Sequence, residues 1–163
     1  MKKTILIISF FIFLFAYSNA QSYKTALGAR LGYPFSISLK HHVSENHAVE
    51  AYVGTRGSNF YRWANASVAY QIHKPLDIED LGESLKWYYG FGGSAYFWSY
   101  RDGFIGSDQN ISFGVQGYIG LEYTFDTIPL NISVDWVPSV FINGFGSGFG
   151  AGFGALAARY VLN

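Results

Sequence analysis

The sequence predicts an all-β fold: eight long antiparallel strands closing into an up-and-down barrel. Three observations carry this. Apolar and polar residues alternate with a period of two over stretches longer than ordinary globular strands. Clusters of turn-forming residues separate those stretches. Aromatic residues make up 20% of the chain and charged residues only 13%, about half the charged share of an average soluble domain.

The first twenty residues, MKKTILIISFFIFLFAYSNA, place Lys2 and Lys3 ahead of an apolar run from Ile5 to Phe15, with small residues at Ser18 and Ala20. That is the layout of a secretory signal peptide cleaved after Ala20. The run is short for a helical span of roughly 20 residues. Residues 21–163 are then expected to form one barrel domain. Without Lys2 and Lys3 the chain has 9 basic and 11 acidic residues, a formal charge of −2. No nucleic-acid partner is expected, since that needs a basic face. The chain has no cysteine, hence no disulfide framework.

In strand order, Leu27, Ala29, Leu31 and Tyr33 lie opposite Gly28, Arg30 and Gly32. Phe35, Ile37, Leu39 and Val43 share a face against Ser36, Ser38, Lys40 and His42. Val49, Ala51 and Val53 alternate with Ala48, Glu50 and Tyr52. Ala64, Ala66, Val68, Tyr70 and Ile72 alternate with Trp63, Asn65, Ser67, Ala69, Gln71 and His73. Leu85, Trp87, Tyr89, Phe91, Ala95 and Phe97 alternate with Lys86, Tyr88, Gly90, Gly92, Ser94 and Tyr96. Residues 110–125 (NISFGVQGYIGLEYTF) alternate without a break. Leu130, Ile132, Val134 and Trp136 lie opposite Asn131, Ser133 and Asp135. Turn signals fall at 32–34, 44–46, 54–59, 74–84, 101–110, 126–129 and 143–148. Residues 77–84 (DIEDLGES) could add one helical turn.

The chain closes on GFGSGFGAGFGALAARYVLN, residues 144–163. Within it, residues 150–155 fit G-x-G-x-x-A. A dinucleotide site needs that turn to open a βαβ unit, with an acidic residue about 20 positions on. Only eight residues follow Ala155 and none is acidic, so that reading fails and no cofactor is expected. Instead a loop over about 143–148 runs into an eighth strand, with Leu156, Ala158, Tyr160 and Leu162 opposite Ala157 and Arg159. Glycines there permit a bulge or close backbone approach. Phe149 and Phe153 point to the Arg159 face unless a bulge flips them.

Charge placement decides which face is inside. Arg30, Lys40, Glu50, Lys86, Glu122, Asp135 and Arg159 all fall on the face rich in Gly, Ser and Ala. They are too few to wet an exterior but enough to pair inside a narrow barrel. The opposite face carries Trp87, Tyr89, Phe97, Tyr123, Phe125, Trp136 and Tyr160, many near strand ends, as in the aromatic girdles of membrane barrels. A polar interior and a lipid-facing exterior follow, which makes the barrel transmembrane.

A signal peptide, eight alternating strands, and a last strand reading Leu156-x-Ala158-x-Tyr160-x-Leu162 resemble the small outer-membrane β-barrels of the OmpA/OmpX type. The resemblance is architectural and extends over residues 21–163. It implies residence in the outer membrane, outer-membrane lipid and the barrel-assembly machinery as partners, and loops near 32–34, 54–59, 100–110 and 143–148 facing outward from the cell. Without a peptidoglycan-binding domain after the barrel, it implies no tether to the cell wall. The role expected is structural or surface contact, without catalysis. An extracellular partner is not identifiable from the sequence.

His42-x-Ser44-Glu45 is the best local candidate for nucleophilic catalysis, as in barrels that modify lipid acyl chains, yet it sits at a turn. His41, His42, His47 and His73 lack a fixed-spacing ligand pair and read as solvated strand-end residues, so no metal is expected. The interior charges could line an ion path, but eight strands leave little bore. Tyr61, Trp63, Tyr96 and Trp98 share the inward parity near the outer ends of neighbouring strands, where they could contact a ligand or cap the barrel. The alternatives are a small solute or lipid pore, a lipid A-modifying enzyme, and a soluble periplasmic ligand-binding barrel.

Overall fold

The computed structural model describes residues 24–57, 61–76, 78, 84–100, 111–143, 148–150 and 153–162, without the side chains of Tyr61 and Tyr100. The expected signal peptide, most of the 77–84 turn and the 101–110 and 144–147 loop segments lie outside the described residues.

The strands are β1 (Thr25–Tyr33), β2 (Phe35–Ser44), β3 (His47–Gly57), β4 (Tyr61–Pro75) and β5 (Leu85–Tyr100). They continue with β6 (Ile111–Thr124), β7 (Leu130–Trp136), β8 (Ser139–Phe141), β9 (Gly148–Gly150) and β10 (Gly154–Val161). Each long strand pairs antiparallel with its neighbour in sequence. β10 pairs with both β7 and β1, which closes the ring. With β7–β8 and β9–β10 each counted as one interrupted strand, this is the eight-stranded antiparallel barrel the alternation predicted.

Pro138 accounts for the first interruption, because it has no N–H for the ladder. β7 and β8 nonetheless keep one register along β6, with Asp135 opposite Gly120 and Ser139 opposite Gln116. The Gly117 N–H donates to the Pro138 carbonyl at 2.9 Å.

The second interruption explains the glycine run. Trp136 faces Gly154, and Ser139 faces Gly150, so three steps on one strand oppose four on the other. This offset of one residue between Gly150 and Gly154 reverses the side-chain parity. Phe149 is therefore outside, 68% exposed. Phe153 turns inside, against Tyr33 and Phe141. The expectation that both point inward holds for Phe153 alone.

The outward face is apolar. Leu31, Ile37, Val53, Val68, Phe91, Phe113, Val115, Ile119, Val134 and Leu156 are each more than half exposed. The inward face buries Arg30, Lys40, Glu50, Gln71, Glu122, Asn131, Asp135 and Arg159. Besides Phe149, Tyr33 leaves its expected face. Placed outward by its alternation with Leu31, it ends β1 with its ring against inward Trp63, centroids 5.7 Å apart.

Candidate functional site: the packed barrel interior

Residues far apart in sequence meet inside because inward positions of every strand face one narrow lumen. Arg30 donates from Nη1 to Glu50 Oε1 at 3.0 Å and from Nη2 to both Asp135 oxygens at 2.8 Å. Glu50 also accepts from Arg159 Nη2, and from Gln71 Nε2 at 2.8 Å. Arg159 further donates to Ser38, Ser133 and Asn131 at 3.0, 2.8 and 3.2 Å. Asp135 completes its shell with the Tyr88 hydroxyl at 2.8 Å and the Ala155 backbone N–H at 3.1 Å. Nearer the chain termini, Lys40 pairs with Glu122. These ion pairs balance three cations with three carboxylates, as burial in a low-dielectric interior demands.

Six of the seven charges expected inside form this network. Lys86 does not. It is half-buried near the start of β5, and no ion pair of Lys86 occurs among the described residues. Strand parity gave its face correctly, and it stands opposite Glu122 in the β5–β6 ladder, but that carboxylate pairs with Lys40.

Glycines let the long side chains cross neighbouring strands. Gly28 stands between Ser38 and Arg159 in the ladder. A Cβ there would run into the Ala158 carbonyl and the Arg159 backbone. Arg159 thus passes over β1 to reach Ser38. Gly120 stands between Tyr88 and Asp135, and a Cβ there would fall 2.7 Å from Tyr88 Cζ. Tyr88 lies across that gap to reach its carboxylate.

Above the ion pairs, the Tyr118 hydroxyl donates to Gln116 Oε1 at 2.8 Å, and the Tyr52 hydroxyl, 2.9 Å from that of Tyr118 and 3.2 Å from Gln116 Oε1, has one proton to give to either of them. The Arg30 guanidinium lies 4.7 Å from the Tyr52 ring centre. Toward the end opposite the termini, Trp63 packs on Tyr96 with centroids 5.2 Å apart and on Trp98 at 5.9 Å. Tyr96 meets Phe141 at 5.0 Å. Trp98 Nε1 donates to Ser112 at 2.9 Å. Sequence parity thus brings Trp63, Tyr96 and Trp98 together. The Tyr61 side chain lies outside the described residues. The space beneath, between Arg30, Tyr52, Gln116 and Phe153, measures about 10 Å³, no more than one water molecule needs. Among the described residues these rings pack over the ion pairs at that end.

The histidines divide into two pairs. His41 and His47 sit half-buried, bonded to Thr25 and Tyr70. His42 and His73 are not solvated as expected: both are buried, facing Glu122. Ser44 and Glu45 stay exposed in the turn, while the His42 imidazole lies inside.

Comparison with family models, curated proteins and solved structures finds no match for this chain.

Proposed function

We propose that the chain is a transmembrane β-barrel of the outer membrane, of the OmpA/OmpX type. In this reading it is non-catalytic, its lumen is plugged by side chains, and it serves membrane structure or contact through its outer loops. The observation that carries the reading is the inverted polarity: paired charges within, and a belt of exposed Leu, Ile, Val and Phe without. A water-soluble barrel reverses that order. Lipid hides the belt and leaves no apolar surface against water.

Further detail supports it. β4, β5 and β6 have 15, 16 and 14 residues, beyond the ~9–11 that a tilted strand needs to cross a bilayer. On the outer face of β4, the charges Arg62 and Lys74 occur one residue from either end. Lys74 Nζ lies 5.9 Å from the ring centres of Trp87 and Tyr89, the arrangement of a cation at an interfacial aromatic girdle. The filled lumen favours a plug over a solute pore. Thr25 and Val161 lie at one rim, so the strand ends at Gly57, Tyr61, Tyr100, Ile111, Phe141 and Gly148 share the other rim, which this reading turns outward from the cell.

The test is a detergent gel of membrane-extracted protein, unheated and boiled. A closed membrane barrel resists the detergent until boiled, and the unheated band migrates apart from the boiled one. One band position in both lanes, with the protein recovered from the periplasm without detergent, overturns the reading and favours a soluble barrel.

A further inference from the structure

We propose that His42, His73 and Glu122 form a binding site for one divalent transition-metal ion, of the zinc type, inside the end of the barrel nearest the chain termini. The proposal rests on interior packing alone, so it stands or falls separately from the membrane reading.

Three alternate strands, β2, β4 and β6, bring the donors to one level of the lumen. His42 Nε2 lies 3.8 Å from Glu122 Oε1, and His73 Nε2 lies 3.7 Å from Glu122 Oε2. The ligand atoms of all three residues fall within 4.8 Å of one another. Ligands held at about 2.0–2.1 Å around a tetrahedral ion sit roughly 3.4 Å apart. Modest side-chain shifts therefore convert this arrangement into a coordination shell. At 3.7–3.8 Å the contacts are too long to be hydrogen bonds, but they suit donors that share an ion.

His73 supplies the independent observation. It is 0% exposed, and neither ring nitrogen has a hydrogen-bond partner. Imidazole always carries at least one N–H, so burying it this way costs free energy unless something else takes the ring. A metal on Nε2 would engage that nitrogen's lone pair, leaving the Nδ1–H as the one ring group still without a partner. Its ring is already held in place, 5.0 Å from His42 and 5.1 Å from Tyr88.

Two imidazoles and one carboxylate favour zinc, copper or nickel over calcium and magnesium, which prefer all-oxygen shells. A water completes the shell. The groups facing the site are Lys40, bonded to the same carboxylate, and Tyr88, whose ring lies 4.5 Å from Lys40 Nζ. Lys40 therefore competes with the ion for Glu122.

The probe is zinc chloride, titrated calorimetrically into the protein in detergent micelles, with cobalt(II) absorption as a second readout. The expected result is one zinc per folded chain and a tetrahedral cobalt spectrum. His73→Phe keeps an aromatic ring in place and should weaken binding at least about 100-fold, more than loss of an outer-shell partner costs. Lys40→Met, which frees the second carboxylate oxygen, should tighten it. His41→Gln and His47→Gln should leave it unchanged, with circular dichroism confirming the fold of each variant. No stoichiometric zinc on the folded wild-type chain, or binding that survives His73→Phe, overturns the proposal.

Discussion

Val68 offers the sharpest test of which solvent the barrel faces. It points outward from the middle of β4 and is 55% exposed. Its ladder neighbours are Ala51 and Gly93, so the stem of an arginine meets no bulky side chain there. The effect of Val68→Arg is then almost wholly one of solvation. On a wet surface, such a change stays within about 0.5 kcal/mol. At the midplane of a bilayer it costs ~2–4 kcal/mol, about 30- to 700-fold in the folding equilibrium. Ala64 and Ile72 lie on the same face, four residues to either side. At ~3.4 Å per residue and a tilt near 40°, that places them roughly 10 Å from the midplane, close to the edge of a ~25 Å apolar band. Arginine there should cost only about 0–1 kcal/mol. The assay is reversible urea unfolding of the barrel in phospholipid vesicles, comparing the three variants with wild type. A profile peaked at Val68 is expected. A flat profile, or a Val68→Arg change below about 0.5 kcal/mol, refutes the lipid-facing exterior.

Three other predictions follow from the interior. Glu50→Ala removes one acceptor from each of two buried guanidinium groups and from the Gln71 amide and leaves a buried positive charge uncompensated, at a cost of roughly 3–5 kcal/mol in urea unfolding; Lys86→Gln, outside the network, should stay within about 0.5 kcal/mol. Gly120→Val drives a side chain into the Val134 carbonyl and the Tyr88 ring and should cost ~1–3 kcal/mol, with the ring's part of that loss recovered in the double variant with Tyr88→Ala; full additivity of the two would show that the new side chain and the Tyr88 ring do not share that gap. In a planar bilayer the wild-type protein should pass no steady current, and a reproducible single-step conductance would contradict the plugged lumen.

Much of this was legible in the sequence because β-strand side chains alternate strictly, so each charge declares its face. Residues 111–124 and 130–136 keep that alternation throughout. Parity, however, fixes only the face. Lys86 shares its parity with Tyr88 and stands opposite Glu122 in the ladder, yet it is Lys40 that pairs with that carboxylate. Tyr33 folds inward where β1 ends. A one-residue offset between the ladders of Gly150 and Gly154 puts Phe149 and Phe153 on opposite faces, and one extra residue in a glycine-rich stretch leaves no mark on composition.

The His42–His73–Glu122 cluster was missed for a different reason. Parity placed His42 beside Lys40 and His73 beside Gln71 on the inward face, which was signal enough for burial. Their meeting with Glu122 depends on barrel closure and stagger, a relation between β2, β4 and β6 that no local spacing encodes. The same holds for Tyr88 and Asp135, which meet across Gly120.

The most direct test of the inverted barrel is a nitroxide scan along β6, made simple because the chain has no cysteine of its own. Single cysteines from residue 112 to 122 would be labelled and folded into vesicles, and relaxation by oxygen compared with relaxation by a polar metal complex. The account predicts strong oxygen and weak polar-complex relaxation at Phe113, Val115, Ile119 and Leu121, and little of either at Gln116, Tyr118 and Glu122. Strong relaxation by the polar complex at Phe113, Val115, Ile119 and Leu121 would put water against the apolar belt and contradict it.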